Sequence, residues 1–230
     1  MRQGKINMRY TALLPMLLLL SACKPASEKA YEQNFSLRAA RELDSTGNTE
    51  LARYYLERAR QDPAAHTEAE NFSRRITERK LRTQDCLESK KTDLTINQYP
   101  RIRHKHLFQM GVCFEEAGDT ARALKFYEMA ENAASMQPQL FLRRALLHSR
   151  TGNNPAAAAD FERAVSLNRE YPPALFNLVL YRITAEQAEA AKAHLPELKS
   201  LKPNYADIAA DALQHQAEIV TFMRGRNARR

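Results

Sequence analysis

Glycine is scarce, with six among 230 residues, and no stretch alternates apolar and polar residues convincingly enough to read as a strand. The first shortage leaves few breakpoints and the second leaves no sheet, so helix is the expected structure throughout. No apolar run reaches the roughly twenty residues that a helix needs to cross a hydrocarbon core. The longest, Ala12 to Leu20, covers about half of that, which argues against a permanent transmembrane helix. A glycine-rich phosphate loop is missing, and so is any nucleic-acid recognition motif. The six histidines are scattered, and His104 and His106 stand two apart, on different faces of a helix, which is poor spacing for metal ligands. No catalytic residue, metal ligand or cofactor is therefore assigned, and nothing in the pattern fixes the oligomeric state.

What is present begins at the N-terminus. Arg2, Lys5 and Arg9 precede the apolar run, and the small residues Ser21 and Ala22 follow it. That is the layout of an export signal, so residues 1–22 are expected to be removed. Leu20-Ser21-Ala22-Cys23 resembles the lipobox of bacterial lipoproteins, which implies acylation of the Cys23 thiol and cleavage just before it. The alternative is an ordinary secretory signal with Cys23 as an incidental thiol. One acyl chain anchors only marginally, but lipoproteins of this kind carry several. An aspartate after the lipidated cysteine retains enterobacterial relatives in the inner membrane, and here that position is Lys24. The resemblance thus implies an outer-membrane lipoprotein facing the periplasm, although sorting rules differ between bacterial groups.

Loss of residues 1–22 removes three cations and lowers the formal charge from +8 to +5. This mild basic excess fits anionic neighbours such as lipid headgroups or peptidoglycan. Arg224, Arg226, Arg229 and Arg230 read as a solvated tail. With Cys23 consumed, Cys86 and Cys113 form one candidate disulfide in an oxidising compartment, the alternative being two separately buried thiols.

Residues 23–34 read as a lipidated tether, about eleven residues that span at most roughly 35–40 Å. From Phe35 to about Met223 the chain is rich in helix formers, and it repeats itself. Gly118 recurs as Gly152, Ala123 as Ala157, Tyr127 as Phe161 and Ala130 as Ala164, each at an interval of 34 residues. A third, degraded copy carries Ala191, Leu195 and Pro203, with Glu186 where glycine is expected.

This period, with glycine at the turn, alanine in the second helix and an aromatic four residues on, resembles the tetratricopeptide repeat (TPR). The resemblance implies an all-α, TPR-like helical-repeat solenoid with a C-terminal capping helix. Three repeats are expected over 104–205 and a degenerate one over 35–66, where Gly47, Ala52, Leu56 and Ala59 keep the spacing. Gly47 and Gly118 are 71 residues apart, three more than two periods, so 67–103 reads as an irregular insert, helical to about residue 90 and a loop beyond. Residues 206–230 supply the cap and the basic tail, with Tyr205 to Met223 read as one helix.

In tetratricopeptide proteins the first helices line a groove for a peptide. Carried over position by position, the groove residues are Phe108, Val112, Leu142, Leu146, Phe176 and Leu180. All are apolar, unlike the Lys, Asn and Arg of the subfamily that clamps a C-terminal carboxylate, although Arg143 and Asn177 sit nearby. The stripe suits a hydrophobic or amphipathic partner segment, or is covered by the chain's own terminal helices. Glu115 and Glu116, at the end of a first helix, read as a solvated charged face, the alternative being a contact with a basic partner. Outer-membrane lipoproteins of this repeat type include pilotin-like assembly factors of type IV pili and a lipoprotein of tight-adherence (Flp) pilus loci. The resemblance implies a non-enzymatic scaffold that assembles or stabilises a pilus or secretion apparatus and binds an envelope protein such as a secretin. The alternative is an adaptor that docks peptidoglycan hydrolases or a protease and regulates cell-wall turnover. A structural subunit of the outer-membrane barrel assembly complex fits less well, because those repeats are longer and less regular.

Overall fold

A computed structural model describes residues 34–81, 100–133 and 136–227. The export signal, Cys23, Cys86 and nearly all of the tether lie outside them. The ordered elements are α1 (Phe35–Ser45), α2 (Thr49–Arg60), α3 (His66–Leu81), α4 (Pro100–Glu116), α5 (Thr120–Asn132), α6 (Pro138–Arg150) and α7 (Asn154–Leu167). They continue as α8 (Pro172–Thr184), α9 (Ala188–Lys192), α10 (Leu195–Leu201), α11 (Pro203–Gln214) and α12 (Gln216–Asn227). No strand occurs among the described residues, and the fold is an all-α TPR-like repeat in which neighbouring helices pack as antiparallel pairs. No helix among the described residues is long and apolar enough to cross a membrane.

The same turn joins the helices of each pair. Gly47, Gly118 and Gly152 take φ of +86°, +81° and +77°, a left-handed conformation that glycine adopts at little steric cost. The next residue's N–H reaches back to close the helix end: Asn48 to the Leu43 carbonyl, Asp119 to Phe114 and Asn153 to His148, each at 2.9 Å. The Asn48, Asp119 and Asn153 side chains then accept from the first turn of the following helix. The degraded copy keeps the geometry without the residues. Glu186 holds φ +62°, and Gln187 donates to the Arg182 carbonyl at 2.8 Å but makes no side-chain cap. Its second helix is broken as well. Pro196 stands one period after Glu162 in α7, lacks an N–H and clashes with the preceding turn, so α9 stops and α10 restarts around it.

Within a pair, closeness is set by one complementary contact. A Cβ on Gly111 of α4 would lie 2.4 Å from the Tyr127 ring of α5, so the two helices meet where only glycine fits. The equivalent residues are Ala145 with Phe161 and then Val179 with Leu195, the first partner growing as the second shrinks. Arg144 of α6 locks adjacent layers by donating twice to Asp160 of α7, at 2.7 Å each, and once to Glu131 of α5. Burial disfavours the Arg144 charge, but these two carboxylates outweigh it and raise its pKa.

The apolar interior forms two cores. One unites α4–α7 with Ala174, Leu178 and Tyr181 of α8. The other unites α1–α3 with the opposite side of α8, where Leu175, Phe176, Val179, Leu180 and Ile183 lie, and with α11 and α12. Thus α8 is apolar almost all round because it is buried almost all round. The chain closes on itself: the N-terminal hairpin α1–α2 sits against the C-terminal helices. Tyr55 and Arg58 both donate to Asp211 of α11, at 2.7 and 2.8 Å, and Tyr54 donates to Glu218 of α12 at 3.0 Å. The expected single terminal helix is two, α11 and α12, separated at His215.

Candidate functional site

Docking of the α1–α2 hairpin decides what becomes of the predicted groove. Asn48, at the hairpin turn, donates to the fully buried Asn177 at 3.1 Å, and Asn177 in turn donates to the Pro173 carbonyl at 2.9 Å. The turn residues 47–51 therefore lie over Leu146 and Leu180, leaving only about 50 Å³ between them. Phe176 is fully buried and stacks on Tyr205 of α11 with ring centroids 4.3 Å apart. Leu142 is also buried, whereas Phe108 and Val112 are half-buried at the other end of the stripe, Phe108 lying 5.8 Å from the Tyr127 ring. Four of the six groove positions are thus interior. Cys113 is buried and disulfide-bonded, and Cys86, its candidate partner, lies outside the described residues. Among the described residues no group of three His, Cys, Asp or Glu side chains is placed to hold a metal ion.

A larger opening lies beside the filled one. Where the α1–α2 turn faces the ends of α4 and α6, a cleft of about 510 Å³ remains. Its first wall carries Asp44, Ser45, Gly47, Thr49, Glu50 and Arg53, with Ile76 of α3 beside them, and its second carries Glu115, Glu116, Thr120, Arg143, Arg150 and Thr151, so four carboxylates face three guanidiniums. The second wall is organised on Glu115, whose side chain is 8 % exposed. It accepts from the Tyr127 hydroxyl at 2.6 Å and from Arg143 at 3.1 Å, and the Arg150 guanidinium stands 3.8 Å away. Burial and the adjoining Glu115 charge push the Tyr127 pKa well up, so this phenol remains a donor. Burial works against the Arg143 cation, but Glu115 and its other neighbours more than compensate and raise its pKa.

Sequence reasoning named the apolar stripe and set this polar wall aside. The sequence reads Glu115 as part of a solvated face, whereas its side chain is buried and anchors the wall. Arg150 went unnoticed, although it stands seven residues after Arg143 on one helix and so shares its face, a spacing readable from the sequence.

The family model of the tetratricopeptide repeat matches residues 138–171, which are α6, α7 and the linker that follows. Neither the curated proteins nor the solved structures contain a match to the chain. Repeats of this kind form scaffolds on which proteins bind proteins, and the fold is typically non-catalytic.

Proposed function

We propose that this chain is an exported lipoprotein, anchored through Cys23, whose repeat scaffold assembles or stabilises a pilus or secretion apparatus at the outer membrane. The observation that carries the reading is a juxtaposition: a lipobox-like Leu20-Ser21-Ala22-Cys23 behind an export signal, and a repeat fold that starts at Phe35. So short a tether, about 35–40 Å at most, keeps the scaffold at the membrane surface. Anchoring confines the search for a partner to that thin layer, which suits a factor that meets an envelope protein such as a secretin during its insertion.

Replacing Cys23 with Ser tests the anchor: an uncleaved precursor accumulates and the protein leaves the membrane fraction. Normal processing of that variant would sink the lipoprotein reading. Deleting the gene tests the role, with secretin multimers expected to disappear from outer-membrane fractions. Multimers at normal abundance would point away from assembly and towards another envelope partner.

A further inference from the structure

Cys113 of α4 is 1 % exposed, yet among the described residues it belongs to neither apolar core. It is disulfide-bonded, and the chain holds three cysteines, so an intrachain partner is Cys23 or Cys86. The lipoprotein reading commits the Cys23 sulfur to a lipid, which leaves Cys86. The chain passes from one core to the other around that residue. On one side α3 contributes Phe72 and Ile76 to the closed core, and on the other α4 contributes Leu107, Met110 and Phe114 to the periodic one. Pairing is within reach. Cys86 follows the end of α3 by five residues, and the fourteen from Cys86 to Pro100 extend over as much as roughly 45 Å, whereas α4 rises only about 20 Å from Pro100 to Cys113.

We propose that Cys86 is the partner of Cys113 and that their bond, formed after export, ties the α3 end of the closed core to α4 of the periodic one. The inference rests on the lipoprotein reading, which assigns Cys23 elsewhere. Closing the bond takes two protons and two electrons from the two thiols and forms one S–S bond. The electrons pass to a disulfide-carrying oxidant of the envelope, through a mixed disulfide, and that oxidant leaves as a dithiol. A reducing cytoplasm keeps both thiols free, so the chain is exported without the tie and acquires it in the oxidising compartment. The two cysteines are 27 residues apart, and closing a loop of that length restricts the unfolded chain substantially. Without the bond, α4 is held by its packing on α5 and by the contacts of Glu115 with α6.

The test digests the chain, purified in detergent without reductant and with free thiols alkylated, and maps its cysteines by mass spectrometry. Cys86 and Cys113 are expected in one crosslinked pair, and Cys23 in a lipid-bearing N-terminal peptide. A Cys23–Cys113 pair, an alkylated Cys113 or a bond between two copies of the chain overturns the proposal, the first of these together with the lipoprotein reading. A Cys86–Cys113 pair beside an unlipidated Cys23 keeps the bond and removes only the anchor. Hydrogen exchange then reads the structural role. Dithiothreitol, which is oxidised to its cyclic disulfide as it reduces the bond, and the Cys86→Ser variant should each speed exchange of the α4 amides about tenfold or more, with α8 and α11 changed less than about twofold. If Cys86→Ser fails to fold, the reduced wild type supplies the comparison. Equal exchange in the oxidised and reduced chains overturns the tie between the cores.

Discussion

In α4–α7 each helix packs against a neighbour in sequence and the arrangement recurs every 34 residues, whereas α1 and α2 reach their partners in α8, α11 and α12 across 129 to 164 residues. The first region is held together by a repeated contact, a small residue against a ring. The second has no repeated contact and is joined through individual ones: Asn48 with Asn177, Tyr55 and Arg58 with Asp211, Tyr54 with Glu218. A periodic core therefore announces itself in the sequence. A core closed between distant segments uses ordinary apolar residues and leaves no period to read.

The sharpest way to break this comparison is to truncate equivalent groove positions in the two regions. Phe176 is fully buried in the closed core, so Phe176→Ala should cost about 3–5 kcal/mol in urea unfolding. Its counterpart Phe108 is half-buried, and Phe108→Ala should cost well under half as much. Equal losses would mean that the stripe is one continuous surface after all. Within the periodic core, Gly111→Ala places a methyl group 2.4 Å from the Tyr127 ring, and we expect a loss of about 2–3 kcal/mol despite alanine's higher helix propensity. Tyr127→Leu imitates the Val179–Leu195 pair but also removes the hydroxyl that Glu115 accepts from, so the alanine is compared in the two backgrounds: beside the leucine its cost should fall, a partial recovery. No recovery would show that the paired sizes are coincidental.

Alkaline pH acts on both cores, since Tyr127 is raised as well, but substitution at Tyr54 isolates a contribution from the closed one. Burial, then the hydrogen bond to Glu218, pushes the Tyr54 pKa up from 10.0 to about 12. Across that window the unfolded chain has released the proton and the folded chain still holds it. Stability is therefore full below pH 10 and falls as pH rises from 10 to about 12, by on the order of 1–2 kcal/mol from this group. Tyr54→Phe should flatten the slope of unfolding free energy against pH, and an unchanged slope would acquit the residue. The smallest effect belongs to the degraded turn. Glu186 holds a left-handed conformation that costs an ordinary residue about 1–2 kcal/mol. Glycine is also the more flexible residue when unfolded, so Glu186→Gly should stabilise by only about 0.5 kcal/mol. A loss would mean that its exposed ion pair with Arg224 contributes more than such pairs usually do.

Much of the periodic region was legible. Gly118 and Gly152 marked the turns because the backbone there needs positive φ, and Ala123, Ala157 and the rings of Tyr127 and Phe161 fill the interior as their spacing implied. Family resemblance assigns the groove stripe and leaves open whether a partner or the chain's own terminal helices cover it; for Leu146 and Leu180 it is the chain's own N-terminal hairpin. Nothing local to Leu146 or Leu180 records that a hairpin from residues 35–60 lies over them. One signal was available: α8 reads Ala-Leu-Phe-Asn-Leu-Val-Leu-Tyr, apolar on every face, which a helix with one open side does not need. The polar wall was harder to read. Glu115 carries the same letters whether solvated or buried, and only the approach of α6 and Tyr127 turns it into an anchor.

Closure of the chain also bears on the order in which the molecule is built. An open solenoid can consolidate from its first repeat as the polypeptide emerges, since each unit needs only the next. Here the earliest helices wait for the last: Tyr54 and Tyr55 have no permanent hydroxyl acceptor until Asp211 and Glu218 arrive, 156 and 164 residues later. Pairings of such long sequence separation keep the leading hairpin unfinished until nearly the whole chain is available. On the proposed reading of the chain as exported, N-terminus first through a narrow channel, that delay would be an advantage, because the leading segment stays threadable for as long as the rest is still to follow.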